Sequence, residues 1–170
     1  MKKNWKDIEW IFKADGALRA IYILNSSISD WKKVIAIINQ KYHVNFRNSD
    51  EGNFTKKIDD RLIIDYLTNR KKTDETKLAS ILIGEIRLNC HFFQDDEIEF
   101  DINPKEINSI KDFELIESFM YDISETLGKE VILKYDDLDA EIPLIKIHVN
   151  KGIDEVLSKH EIEEYWKNKD

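Results

Sequence analysis

Between Leu78 and Ile102 apolar and polar residues alternate with a period of two. Ile81, Ile83, Ile86, Leu88, Cys90 and Phe92 occupy alternate positions of a first arm, and Ile98, Phe100 and Ile102 alternate with Glu97, Glu99 and Asp101 in a second. Successive strand side chains point to opposite faces, so this predicts a half-buried antiparallel hairpin with one wet, acidic face. The phase slips near Gly84. A bulge is expected there, because glycine accepts the backbone geometry that a bulge needs.

The same alternation predicts shorter strands elsewhere. Asp7–Lys13 sets Ile8, Trp10 and Phe12 against charged neighbours, Ala14-Asp15-Gly16 reads as a turn, and Leu18–Leu24 as the returning strand. His43–Arg47, Glu130–Tyr135 and Ile142–Val149 are further strands, the last two joined by the acidic turn Asp136-Asp137-Leu138-Asp139. Pro143 suits an edge or entry position.

In other stretches the apolar period changes to that of a helix. Asp30–Lys41 follows the cap-forming run Ser26–Asp30 and places Trp31, Val34, Ile35, Ile38 and Tyr42 on one face. A second helix opens on Ser109-Ile110-Lys111-Asp112, close to a capping box, and runs to Leu127 with Gly128 past its end. It turns Phe113, Ile116, Phe119, Met120, Ile123 and Leu127 inward. Ile153–Lys167 predicts a closing helix, with Val156, Leu157, His160 and Tyr165 or Trp166 on its inner side. Between Asn48 and Lys77 the pattern is ambiguous. Asn48–Asn53 is a loop, and Arg70–Glu75 is a charged connection. Ile58, Leu62, Ile63, Tyr66 and Leu67 fit an amphipathic helix, although Leu62–Tyr66 suits a strand as well.

Residues 7–47 and 86–135 both read strand, Asp-containing turn, strand, helix, strand. The offset is about 80 residues, the signature of a two-fold duplication or of a common motif recurring by chance. The expected fold is α+β. It is a single domain over residues 1–170, a mainly antiparallel sheet with helices packed on one face, as two ββαβ units related by duplication would build.

Composition narrows the function. The chain of 170 residues is 42% hydrophobic and carries a net charge of −8, which disfavours general nucleic-acid binding. The charge is uneven. His91–Glu141 holds 16 acidic and 4 basic residues, a charge of −12, whereas the other 119 residues carry +4. Such a concentration is either a solubilising surface or a docking face for a basic partner. The candidate contact residues are Asp95, Asp96, Glu97, Glu99, Asp101, Asp136, Asp137, Asp139 and Glu141.

Candidate chemistry is sparse. His43, His91, His148 and His160 lack metal-ligand spacing, and the lone Cys90 is expected to be a buried hydrophobe. His91 with Asp95, Asp96 and Asp101 forms either a small polar site or an ordinary strand end. No nucleophile elbow and no phosphate-cradling glycine motif is present. The expectation is therefore no enzyme, no cofactor and no bound metal. No signal-peptide pattern and no apolar run long enough to span a bilayer is found, so a cytoplasmic protein without membrane contact, monomeric or weakly dimeric, is expected.

Phe92-Phe93, the run Glu97-Ile98-Glu99-Phe100-Asp101-Ile102-Asn103-Pro104-Lys105-Glu106-Ile107, and Asp15–Ile23 ahead of the Trp31 helix resemble small bacterial proteins encoded beside polymorphic toxins. The resemblance is closest to contact-dependent growth inhibition immunity proteins and covers most of the chain in layout. It implies a cytosolic protein that binds one cognate toxin domain and occludes its active site. Many such toxins are basic nucleases, which agrees with the acidic window. The resemblance transfers no site residue. The alternative is a small-ligand-binding or regulatory domain without catalysis, its pocket lying between sheet and helices near His91 and Trp31.

Overall fold

The computed structural model describes residues 3–48, 52–69, 77–136 and 141–169. Its strands are β1 (Arg19–Ile23), β2 (His43–Arg47), β3 (Phe54–Thr55), β4 (Leu78–Ile83), β5 (Ile86–His91), β6 (Ile98–Ile102), β7 (Val131–Tyr135), β8 (Ile145–His148) and β9 (Ile153–Val156). Its helices are α1 (Trp5–Ile8), α2 (Ile28–Lys41), α3 (Asp60–Asn69), α4 (Ile110–Leu127) and α5 (Lys159–Lys169). The strands form one nine-stranded open sheet in the order β3-β2-β4-β5-β6-β1-β7-β8-β9. Every neighbouring pair is antiparallel. The fold is thus α+β, as the alternation predicts. No helix among the described residues is long and apolar enough to cross a membrane.

Two helical crossovers tie the sheet together. The first, α2, carries the chain from β1 to β2 past three intervening strands, and α4 carries it from β6 to β7 past β1. These two helices pack on each other, and α4 also packs on β7 and β8. The C-terminal end of α2 is locked to α4 by Asp122, whose carboxylate accepts from Tyr42 (2.6 Å) and Lys41 (2.7 Å). Phe119 of α4 meets Tyr42 and Phe100 edge-on, at 5.3 and 5.1 Å between ring centroids. The helix ends follow from local chemistry. Ser27 and Asp30 form a reciprocal capping box, Ser109 accepts from the Asp112 amide, and Gly128 closes α4 at φ +65°.

Four expectations are corrected. Asp7–Lys13 is not a strand: α1 and a 3₁₀ turn over Glu9–Phe12 occupy it. The alternation of Ile8, Trp10 and Phe12 hid the spacing that matters, because Ile8, Ile11 and Phe12 (i, i+3, i+4) are the buried set and Trp10 is half-buried. Gly84 makes no bulge. It opens a two-residue turn between β4 and β5 at φ +61°, with Ile83 paired to Ile86. A two-residue turn also puts its flanking residues on one face, so it produces the observed phase slip. Ile153–Lys167 divides into β9, which pairs with β8, and α5. Ser158 and Glu161 exchange caps at the start of α5, Ile162 is its buried residue, and His160 is exposed. The two halves do not match element for element, since the first begins with helix where the second begins with strand. The ambiguous segment holds helix α3, with Ile63 and Leu67 buried, preceded by the unforeseen short β3. The predicted connection Arg70–Glu75 lies outside the described residues.

Arg19 is nearly fully buried, at 1% exposure, on the core side of β1. Its guanidinium donates to the carbonyls of Ile11 (2.6 Å), Lys13 (3.0 Å), Ala17 (3.1 Å) and Leu18 (3.2 Å). It also grips both oxygens of Asp15 and lies 4.4 Å over the Tyr135 ring. The segment joining the N-terminal helical turn to β1 is wrapped around this one cation. Burial would raise the Asp15 pKa, but the bonds from Arg19 and from the Ala17 amide outweigh it and hold the carboxyl below its usual range.

Candidate functional site

One face of the sheet is the core. It carries Ile21, Ile23, Phe46, Ile81, Leu88, Cys90, Phe100, Ile102, Leu133 and Ile147, all essentially buried. Among the described residues the opposite face carries no comparable apolar cover. The register sets Phe54, Arg47, Leu78, His91, Glu99, Tyr22, Ile132, Lys146 and Glu155 directly opposite one another in a single row across all nine strands. A second row reads Asn45, Ser80, Asn89, Asp101, Ala20 and Lys134. This polar open face is the candidate site.

Its centre is a hydrogen-bonded chain. Ser80 donates to Asn89 Oδ1 (3.0 Å), and Asn89 Nδ2 donates to Asp101 Oδ1 (3.0 Å). His91 Nε2 lies 2.5 Å from Asp101 Oδ2, and the imidazole stacks on Phe93 at 4.9 Å between centroids. Beside it, Glu99 stands opposite Tyr22 in the β6–β1 register, and Lys134 lies 4.7 Å over the Tyr22 ring. The field of the cluster is legible in its titrating groups. The bond to Asp101 raises the His91 pKa against the effect of burial, helped by the charges of Asp101, Glu99 and Asp136. Burial raises the Glu99 pKa, and Asp136 and Glu97 raise it further. Burial together with Glu99, Asp136 and Glu97 pushes the Tyr22 phenol upward.

The structure therefore brings Glu97, Glu99, Asp101 and Asp136 together about Tyr22 and His91. Asp101 is 8% exposed and engaged by His91 and Asn89, so it supports the cluster from beneath. Asp95 and Asp96 lie in the β5–β6 loop, where the Asp96 carbonyl accepts from the Ser26 amide at 2.8 Å. Glu141 sits apart, its amide 3.4 Å from the Tyr165 hydroxyl of α5. Asp137 and Asp139 lie outside the described residues. No lysine or arginine among the described residues is within ion-pair distance of Glu97, Glu99 or Asp136.

Sequence reasoning missed Tyr22 and the apolar flank. Phe54, Leu82 and Phe93, at 58, 43 and 69% exposure, belong to this face or border it. Their signal was available, because each occupies a polar-side position of an alternating strand or its extension. Trp31 lines no ligand pocket beside His91. It is fully buried, tilts against Phe92 at 5.4 Å, and donates its indole N–H to the Gln94 carbonyl at 3.1 Å. Among the described residues no three histidine, cysteine or carboxylate side chains are grouped to hold a metal ion. Cys90 is buried on the core face, and burial, with Glu99 and Asp101 nearby, raises its thiol pKa well above the usual value. No protein-family model, curated protein sequence or solved structure matches this chain.

The cluster has a pH signature. A histidine whose folded pKa exceeds its unfolded value adds stability that is complete below the unfolded value, 6.5 here, and is lost as pH rises through the folded pKa. Glu99 acts in the same direction: its raised folded pKa favours the protonated native state, so stability falls as pH rises above its usual 4.5. Unfolding free energy from urea titrations is therefore expected to fall with pH above about 6.5 in the parent protein and to fall less in His91→Gln. Superimposable pH profiles would show that the His91–Asp101 bond has no energetic weight.

Proposed function

We propose that this chain is a non-catalytic immunity protein that docks a basic toxin domain, of the nuclease kind, on its open sheet face and occludes the toxin's active site. The convergence of Glu97, Glu99 and Asp136, unneutralised by any described lysine or arginine, carries the reading. Like charges held close on a partly desolvated surface are destabilising alone and are relieved by an arriving cation, which favours complex formation and speeds encounter. Phe54, Leu82 and Phe93 supply apolar contact beside the charge, the mixture from which binding hot spots are made. The resemblance to contact-dependent growth inhibition immunity proteins points the same way.

The test needs a toxin-like domain encoded beside the gene for this chain; a neighbourhood without one counts against the reading, and where one is present its binding is measured. Glu97→Lys, Glu99→Lys and Asp136→Lys combined are expected to weaken its binding at least about 100-fold by calorimetry, with an unchanged circular dichroism spectrum. An unchanged affinity, or amide shifts mapping to α2 and α4, overturns the reading.

A further inference from the structure

The open face carries complementary groups at mirror positions. In its first row Phe54, Arg47, Leu78, His91, Glu99 and Tyr22 stand on β3, β2, β4, β5, β6 and β1, which are neighbours in that order. A line along the strands between β4 and β5 halves this row. Arg47 and Glu99 lie equally far from the line on opposite sides, as do Phe54 and Tyr22, and Leu78 and His91 flank it.

Arg47 makes no ion pair and no hydrogen bond with any described residue. Its Nε is buried without a partner, but its two terminal nitrogens, also unpaired, remain accessible. A guanidinium stays charged at every working pH and matches a carboxylate in shape. Glu99, across the line, has no lysine or arginine of the described residues within ion-pair distance. The two cannot meet within one chain, because three strand spacings, about 14 Å, separate them.

We propose that two copies of this chain associate face to face across the open sheet, about a two-fold axis along the strands between β4 and β5, so that Arg47 of each copy pairs with the partner's Glu99. A two-fold contact makes every pair twice. Leu78 meets the partner's His91, on which Phe93 is stacked, and the exposed Phe54 meets the partner's Tyr22. Sheet twist turns such packed layers about 30° from parallel, which shifts Arg47 by about one residue along the strand, within its side chain's reach. The overlap of six strands, about 29 Å across and about 17 Å long, covers roughly 500 Å² on each copy. That is about 1,000 Å² in all, the size of a weak contact, so a dissociation constant on the order of 0.1 mM is expected.

A second copy is favoured as occupant because it supplies both missing charges at once, whereas a cationic partner satisfies Glu99 and leaves Arg47 unpaired. The dimer leaves Glu97 and Asp136 out of the pairing and does not rest on the toxin-docking reading. A monomeric chain would sink the dimer and leave that reading untouched.

The experiment is sedimentation equilibrium of the whole chain up to about 1 mM in about 0.15 M salt, where repulsion between copies of net charge −8 is largely screened. The parent chain is expected to populate a dimer. Arg47→Glu and Glu99→Lys, each of which sets like charges against one another at both contacts, should weaken it at least about tenfold with unchanged circular dichroism. An equimolar mixture of the two variants should dimerise again, because each introduced charge then faces its opposite at both contacts. Where Glu99→Lys does not fold, Glu99→Gln takes its place, and its mixture with Arg47→Glu should still associate more tightly than Arg47→Glu alone. A parent chain that is monomeric at about 1 mM, variants that associate as tightly as the parent, or a mixture no tighter than its components overturns the proposal.

Discussion

Arg19→Met is expected to lower the unfolding free energy by about 3 kcal/mol or more, the largest effect of any polar substitution in this chain. Methionine keeps much of the stem's packing, so the loss isolates the guanidinium. Without it the carbonyls of Ile11, Lys13 and Ala17 lose this donor together, and only Leu18 keeps another, the Asp136 amide at 3.1 Å. Asp15 is 44% exposed and can be rehydrated, so Asp15→Asn should cost well under half as much. Arg19→Lys should not restore stability, because one ammonium cannot reach carbonyls on several sides at once. Urea unfolding at neutral pH measures all of these. A loss below about 1 kcal/mol for Arg19→Met would show that the segment re-solvates freely.

Trp31→Ala is expected to cost about 3–5 kcal/mol. Trp31 is the largest fully buried side chain, and it joins α2 to the β5–β6 region through Phe92 and through the Gln94 carbonyl. Alanine leaves a cavity between helix and sheet. Trp31→Phe refills most of that volume but strips Gln94 of its donor, and should cost about 1–2 kcal/mol. The two variants separate packing from positioning. Amide exchange across residues 92–97 should quicken in Trp31→Phe, because the indole bond holds the loop that delivers Glu97 to the acidic cluster. Unchanged exchange there would place the anchor elsewhere, with Ser26 on Asp96 the next support.

These anchors show why some features are legible along the chain and others are not. Helices α2 and α4, with their caps at Ser27, Ser109 and Gly128, follow from short-range patterns: a polar cap, an apolar stripe and a glycine past the end. Strands β1, β2 and β4 to β7 follow from alternation, and the α+β class follows from both. Where two periods competed within a few residues, as at Ile8–Phe12, alternation misled, and burial against Phe113 made the segment helical. At Gly84 a phase slip is common to a bulge and to a tight turn, and only the pairing of Ile83 with Ile86 separates them.

For the open face, the residue types that end strands and charge β6 were determined by the linear order of amino acids alone. Glu97, Glu99 and Asp101 had to share a side, because a strand alternates. That Asp136 joins them, and that Tyr22 and His91 stand between them, was decided by the tertiary structure alone. The reason is register. Strand order β5-β6-β1-β7 sets residues more than a hundred positions apart in one transverse row, and no local period encodes which strand lies beside which.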